Sequence, residues 1–157
     1  MLPKIGISED HLHKASALLS VVLADEMMLY VKTRKFHWNV SGHSFMELHK
    51  LFESQYTELE AIIDTVAERI GKLGGQTIGT MNEFASLARL VEHPNQYPVQ
   101  QSMITELLSD HELLVAELRK DIDLSTDENH DAGTADMLTG IMQQHETIAW
   151  ILRRYLG

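Results

Sequence analysis

The side chains of this sequence that could bind a metal are two histidines and several carboxylates in its first half. His37, His49 and Glu53 lie in the stretch KFHWNVSGHSFMELHKLFESQ, and Asp64 and Glu68 follow a few turns later. Imidazole nitrogens combined with carboxylate oxygens form an open site that suits Fe(II), Mn(II) or Zn(II). Because the chain has no cysteine, thiolate zinc sites, thiol nucleophiles and disulfides are excluded. This composition favours a metal site with nitrogen and oxygen ligands, and iron oxidation is the chemistry that we expect.

Two pairs, His49 with Glu53 and Asp64 with Glu68, have the four-residue spacing that places both side chains on one helix face. A rise of about 1.5 Å per residue separates the pairs by roughly 22 Å, whereas ligands lie within about 2.3 Å of one metal. One chain therefore cannot close a site from both pairs. Antiparallel packing of this helix against a second copy, crossing near Glu58, would bring them together and form the same site twice.

The turn VSGHS can fold His37 back beside His49, which would add a third ligand from the first chain. The predicted set is then His37, His49 and Glu53, with the other carboxylate pair supplied by the partner subunit. The competing interpretation is that carboxylates four residues apart form a solvated helix face, and the neighbouring Glu58 and Glu60 show how acidic this helix is. Spacing alone leaves both interpretations open.

Apolar residues recur at helical spacing along nearly the whole chain, and no segment shows a strand pattern. This pattern predicts helices over 8–39 and 44–73, a short helix over 81–90 with Thr80 and Glu83 as its capping box, a helix whose first turn holds Pro98 and which runs to about 122, and a last helix that includes Leu138 and Leu156. A long connection between the second and third long helices that carries a short helix is typical of a ferritin-like four-helix bundle. We expect an all-α fold and a single domain over 1–157.

Charge and hydropathy exclude several other classes of protein. The net charge of −10 should repel bare DNA, and the residues before the first helix offer only Lys4 as a basic side chain. No apolar run approaches the roughly 20 residues of a membrane-spanning helix. The start MLPKIGISED lacks the basic flank and apolar stretch of a signal peptide. These features predict a cytoplasmic protein, free to associate with the nucleoid, with no membrane contact and with weak or absent DNA binding.

The segment FHWNVSGHSFMELHKLFESQYTELEAIIDTVAERIGKLGG closely resembles the signature of the Dps miniferritins, the DNA-protection-during-starvation family, and the likeness extends to GTADML and IAW. The resemblance implies a ferritin-like fold, assembly as a dodecameric hollow shell, and oxidation of Fe(II) by hydrogen peroxide in preference to oxygen. It also implies storage of the Fe(III) mineral and protection against oxidative damage. Its inter-subunit ferroxidase ligands, which hold a di-iron centre or Zn in its place, fall on His37, His49, Glu53, Asp64 and Glu68.

The same resemblance suggests further functional residues. Trp38 would lie close to the iron and donate an electron, although an aromatic side chain there would equally pack under the subunit interface. The acidic stretch DIDLSTDENHDAGTAD would line a three-fold cation channel through Asp136 and, more weakly, Asp131, Asp127 and Glu128. Acidic residues at that position would also stabilise a helix N-terminus without any channel.

Two other functions and one other histidine pair complete the sequence-based expectations. A shell that compacts DNA or sequesters metal with little ferroxidase activity is one alternative, and a monomeric or dimeric helical binding protein is the other. His111 and His145 fall on the apolar stripes of the last two long helices. We predict that they are buried, hydrogen-bonded core residues outside the metal site.

Overall fold

The computed structural model describes residues 2–157, and all of the regular structure in that range is helical. The elements are α1 (Glu9–Asn39), α2 (Phe45–Lys72), α3 (Met81–Leu87), α4 (Gln100–Asp123), a π-helical segment (Leu124–Glu128) and α5 (Ala132–Leu156). The short helix α3 lies in the long crossover between α2 and α4. The predicted all-α bundle of four long helices with a short crossover helix is confirmed.

The four long helices enclose one continuous apolar core. The helix α1 packs mainly on α2, its hairpin partner, and α4 packs mainly on α5. The largest fully buried side chains include Leu19, Leu29, Phe36, Phe52, Leu59 and Leu107. Burying each of these stabilises the fold by about 1.5–3 kcal/mol relative to an exposed side chain. Within residues 2–157, no helix combines the length and apolarity needed to cross a bilayer.

The crossover helix begins as predicted and ends early. The side chain of Thr80 accepts a hydrogen bond from the backbone N–H of Glu83, whose carboxylate accepts from the backbone N–H of Thr80. These reciprocal bonds satisfy donors that the first helical turn leaves free. The helix stops at Leu87, short of the predicted 81–90, because the backbone of Ala88 turns extended with ψ 138°.

The start of α4 corrects one prediction. Pro98 was expected in the first turn, but the helix begins at Gln100, with Val99 as an extended N-cap residue at ψ 162°. The fixed φ of proline suits an extended approach as well as a first turn, so its presence alone does not fix the helix start. Pro98 therefore lies in the crossover just outside α4.

The predicted break between the last two long helices is a π-helical segment followed by a sharp reversal. The backbone N–H of Asn129 donates to the carbonyl of Leu124 over 3.0 Å, five residues back. The chain then turns at His130, whose φ of 52° is a left-handed conformation that few residues other than glycine adopt. The side chain of Asp131 caps α5 by accepting from the backbone N–H of Thr134 at 3.0 Å.

Arg89 is one of the side chains that fasten the crossover to the bundle. The Nε of Arg89 donates to Asp25 on α1 at 2.7 Å, and its Nη2 donates to Asp121 on α4 at 2.9 Å. The backbone N–H of Arg89 also donates to Asp25, at 2.5 Å. Burial raises the pKa values of both carboxyls, and the guanidinium charge opposes that rise. Arg89 therefore joins α1, the crossover and α4 at one point.

Candidate metal centre

His37 and His49 face each other across the turn that joins α1 to α2. The Nδ1–H of His37 donates to the main-chain carbonyl of His49 at 2.7 Å, and the Nδ1–H of His49 donates to the carbonyl of His37 at 2.9 Å. The rings stack with their centroids 3.8 Å apart. Because a carbonyl oxygen can only accept, each neutral ring carries its proton on Nδ1 and keeps the lone pair on Nε2. Both Nε2 atoms are thus prepared to bind a metal.

The hairpin that creates this pair depends on one glycine. Val40 ends α1 with an extended backbone at ψ 138°. Gly42 follows with φ 110°, a conformation that side chains rarely allow, and its carbonyl accepts from the N–H of Phe45 at 3.1 Å. This compact turn sends α2 back along α1 in the register that places His49 opposite His37.

Glu53 lies one helical turn beyond His49 on α2, with its side chain exposed. His49 itself is half-buried, and His37 is 8% exposed. Across residues 2–157, no group of three or more histidine, cysteine, aspartate or glutamate side chains is arranged to hold a metal. A single chain therefore brings together the two imidazoles, with one carboxylate a turn away, and does not form a complete centre.

Asp64 and Glu68 lie farther along α2, and both are exposed. Along the helix, Asp64 is separated from His49 by roughly 22 Å and Glu68 by roughly 28 Å, as the spacing requires. The carboxylate of Glu68 bonds to Lys72 one turn away at 3.0 Å, and both of these side chains are more than half exposed. Glu60 and Ala61, between the two groups, are exposed as well. The outer face of α2 thus carries two separate groups of possible ligands.

The phenol ring in contact with His37 belongs to Tyr56, which was not among the predicted site residues. The two ring centroids lie 5.2 Å apart, with an interplanar angle of 79°. Trp38 is 65% exposed, and its ring lies 5.4 Å from the guanidinium carbon of Arg34. Tyr56 comes seven residues after His49, which is two helical turns on the same face. That spacing was the signal that could have found it.

The acidic residues near the start of α5 are of two kinds: one is buried and supports the turn, and the others are exposed. Asp131 is 2% exposed and accepts hydrogen bonds from Arg69 at 2.8 Å and from both the backbone and the hydroxyl of Thr134. Its two carboxylate oxygens are therefore engaged inside the chain. The side chains of the other three channel candidates, Asp127, Glu128 and Asp136, are exposed.

His111 and His145 are buried in the core, as predicted. Their Nδ1 atoms lie 2.8 Å apart in a hydrogen bond, and the Nε2 of His145 bonds to Glu26 of α1 at 2.8 Å. All three side chains are at most 1% exposed. Burial, and then the neighbouring His145, hold the pKa of His111 well below its ordinary value. This group links α1, α4 and α5 and is separate from the His37 and His49 pair.

Comparisons with known proteins agree with this architecture. A family model described as a ferritin-like domain matches residues 16–157. A low temperature-induced protein of Nostoc sp. is 45% identical over 97% of this chain and 85% of its own length. A DNA protection during starvation protein of Brevibacillus brevis is 38% identical over 90% of this chain and 93% of its own length.

Among solved structures, the Dps protein of Vibrio cholerae O1, a member of the ferritin-like diiron-carboxylate superfamily, matches with a TM-score of 0.92. It is 29% identical, and the match covers 99% of this chain and 97% of the other. The four-helix bundle with its short crossover helix, together with these matches, defines a ferritin-like protein. Within that class, the chain belongs to the Dps family.

Proposed function

We propose that this protein is a miniferritin that oxidises Fe(II), preferably with hydrogen peroxide, at centres shared between two subunits of a dodecameric shell. The observation that carries the proposal is the reciprocal bonding of His37 and His49, which leaves both Nε2 lone pairs free for a metal. The membership of the Vibrio cholerae relative in the diiron-carboxylate superfamily supports iron as that metal. The shell would store the Fe(III) product as mineral.

Each proposed centre takes His37, His49 and Glu53 from one subunit and Asp64 and Glu68 from the subunit related by a two-fold axis. The exposure of all three carboxylates on one helix supports this pairing, because a second copy of α2 can reach them. To bind the metal, Glu68 would have to give up its salt bridge with Lys72. That loss costs little, because an exposed ion pair of this spacing stabilises a helix by only about 0.3–0.5 kcal/mol. Three carboxylates offset most of the charge of two Fe(II) ions, and Zn(II) would fit the same donors.

The proposed reaction pairs electrons so that no radical leaves the centre. Two Fe(II) ions supply the two electrons that reduce one hydrogen peroxide to two waters, and two protons are taken up. A single Fe(II) acting alone would give hydroxide and a hydroxyl radical. By holding both ions together, the ligands would prevent that outcome, which is how the protein would protect the cell from oxidative damage. Trp38, beside His37 in the sequence, is a proposed auxiliary electron donor.

Cations would reach the interior through the acidic turn before α5. Asp136, Asp127 and Glu128 are exposed there and can present a ring of carboxylates around a three-fold axis. Asp131 would contribute mainly by fixing the turn, since its oxygens are bonded to Arg69 and Thr134. The net charge of −10 supports attraction of Fe(II) and weak or absent binding of DNA. We place this activity in the cytoplasm.

A subunit-mixing experiment tests whether the centre is shared. One variant carries His49→Ala and the other carries Asp64→Asn with Glu68→Gln, so each variant alone lacks at least one ligand in every centre. Unfolded together and reassembled, mixed dimers regain one intact centre, which restores about a quarter of the wild-type sites when chains pair at random. Stopped-flow oxidation of Fe(II) by peroxide measures the recovery, and each variant reassembled alone is the control. If the mixed protein does not regain activity, the proposal of a shared centre is wrong. If the wild-type protein itself does not oxidise Fe(II), the alternative function of a metal-sequestering shell is favoured.

A further inference from the structure

A second pair of histidine rings meets at the other end of the bundle from the proposed iron centre. His11 lies in the first turn of α1, and His130 lies in the reversal before α5. Their ring centroids are 5.4 Å apart, with an interplanar angle of 71°. His11 is half-buried and His130 is exposed. Because His11 and His37 lie at opposite ends of α1, roughly 39 Å apart along the helix axis, the two histidine pairs are separate.

The backbone of His130 has a conformation that glycine would adopt with less strain. Its φ is 52°, and residues other than glycine that adopt the left-handed region are found disproportionately at functional sites. The turn itself is held by main-chain bonds, from the N–H of Asn129 to the carbonyl of Leu124 at 3.0 Å and from the N–H of Asp131 to the carbonyl of Ser125 at 2.9 Å. An imidazole at this point is not needed for those bonds, which directs attention to its contact with the ring on α1.

The separation of the two rings suits a single metal ion between them. Zinc binds imidazole nitrogen at about 2.1 Å with near-tetrahedral angles, which places the centroids of two ligand rings roughly 5.2 Å apart. The observed 5.4 Å is close to that value, and the exposed ring of His130 can turn until one nitrogen faces the ion. Across residues 2–157, no third histidine, cysteine or carboxylate side chain is arranged to join such a pair. Water molecules would therefore complete the coordination.

Negative charge near the pair favours a cation there. Asp10 precedes His11 and forms a salt bridge with Lys14 at 2.7 Å. Glu128 is exposed two residues before His130. The hydrogen bond with Asp10 and, as a smaller effect, the charge of Glu128 raise the pKa of Lys14, so this glutamate acts on the start of α1. Both carboxylates thus lie near the two rings and attract positive ions to them.

We propose that His11 and His130 bind one divalent cation of the kind that prefers imidazole, with Zn(II) as the probe. Such an ion would tie the start of α1 to the turn before α5. A ligand that binds only the folded chain stabilises it by mass action, so the ion would raise the temperature of unfolding. Two imidazoles with water also differ in composition from the carboxylate-rich centre proposed at the other end of α1. The inference does not depend on the ferroxidase reaction.

The test counts Zn(II) bound by the iron-free protein at neutral pH, with equilibrium dialysis, and follows thermal unfolding with and without Zn(II). The informative variant is His130→Gly, because glycine suits a φ of 52° and removes only the ring. We expect this variant to bind one Zn(II) fewer per chain than the wild-type protein. Its unfolding temperature without metal should not fall, and the rise that Zn(II) causes should be smaller than in the wild-type protein.

His11→Gln removes the other ligand from a helical position without backbone strain and should lose the same ion. The matched control is His13→Gln, at an exposed histidine two residues later that points from another side of α1, and it should keep the ion. An equal loss in His13→Gln, or an unchanged Zn(II) count in His130→Gly and His11→Gln, would overturn the inference. A loss confined to His49→Gln would also overturn it while leaving the proposed iron centre in place.

Discussion

The ring of His37 is held by the main chain of His49, and the ring of His49 is held by the main chain of His37. Each bond fixes one ring and one tautomer, so the two imidazoles are oriented before any metal arrives. The orientation of both rings is therefore set by backbone atoms, and the hairpin fixes the positions of those atoms. It also makes each histidine a support for the other as well as a possible ligand.

Replacement of His49 should therefore affect more than one ligand. His49→Gln removes an imidazole and the Nδ1–H that bonds to the carbonyl of His37. Loss of the hydrogen-bond partner that supports a ligand typically lowers metal affinity or activity by about 10–100-fold. Because His49→Gln removes a ligand as well as a support, we expect an equal or larger fall in the rate of Fe(II) oxidation. Stopped-flow absorbance measures the rate, and size-exclusion chromatography checks assembly. His43→Gln, at an exposed histidine in the same hairpin, is the control; an equal loss there would argue against a specific role for His49.

Arg89→Met should destabilise the fold. The change leaves Asp25, which is 1% exposed, and the largely buried Asp121 without their cation. Removal of one partner of a buried ion pair typically lowers the free energy of unfolding by about 3–5 kcal/mol. Chemical denaturation at one fixed protein concentration measures the change. Arg119→Met breaks an exposed pair with Glu146 and should change stability by less than about 1 kcal/mol. Similar values for the two variants would contradict the structural role of Arg89.

The buried His111 should make stability fall in mild acid. Burial lowers the pKa of His111 in the folded state, so the unfolded chain binds more protons below its ordinary pKa of about 6.5. Stability is then complete above that pH and declines as the pH falls, by up to about 1.4 kcal/mol per unit from this one group. His111→Gln keeps a donor for His145 and removes the titration. Unfolding measured from neutral pH to pH of about 5 should show a smaller slope for this variant.

Other titratable groups also make the stability depend on pH, but their contributions cancel when His111→Gln is compared with the wild-type protein. Burial raises the pKa values of Asp25 and Asp121, which acts with the opposite sign at lower pH, and both residues are present in the two proteins. His13→Gln, at an exposed histidine near the start of α1, is the matched control and should leave the slope unchanged. An identical slope for His111→Gln and the wild-type protein would rule out His111 as the source.

DNA should not shift in a gel when mixed with the assembled protein, even at low salt. The net charge of −10 makes contact with phosphates unfavourable, and lower ionic strength strengthens that repulsion. An electrophoretic mobility assay on linear duplex DNA over a range of salt concentrations measures this directly. A shift that strengthens as the salt is diluted would reveal a basic surface that the net charge conceals.

The helices were predictable because each long one repeats its own apolar spacing. The bounds 8–39 and 44–73 differ from α1 and α2 by only a residue at the ends, where caps decide the assignment. The short helix and the start of α4 were less accurate, since the crossover takes its path from contacts with α1 and α4. Arg89 makes some of those contacts, and nothing near it in the sequence indicates Asp25 as its partner.

For the candidate site, spacing predicted the residues but not how they are held. The turn between His37 and His49 suggested their proximity, yet the reciprocal bonds to the main chain depend on the hairpin register. In the sequence, Asp131 resembles its acidic neighbours. Only the fold shows that its carboxylate accepts a hydrogen bond from Arg69. Contacts between side chains of different helices, such as that between Tyr56 and Arg34, are difficult to predict from the spacing of residues along the sequence.

The compact hairpin around Gly42 has a consequence for how such a chain can change through evolution. An insertion or deletion of one residue at the start of α2 would rotate His49 by about 100° around the helix axis and shift it by about 1.5 Å. Both carbonyl bonds would break together. Substitutions in this loop, except at Gly42, can therefore leave the register of α2 unchanged, whereas a change in the length of the loop would destroy it.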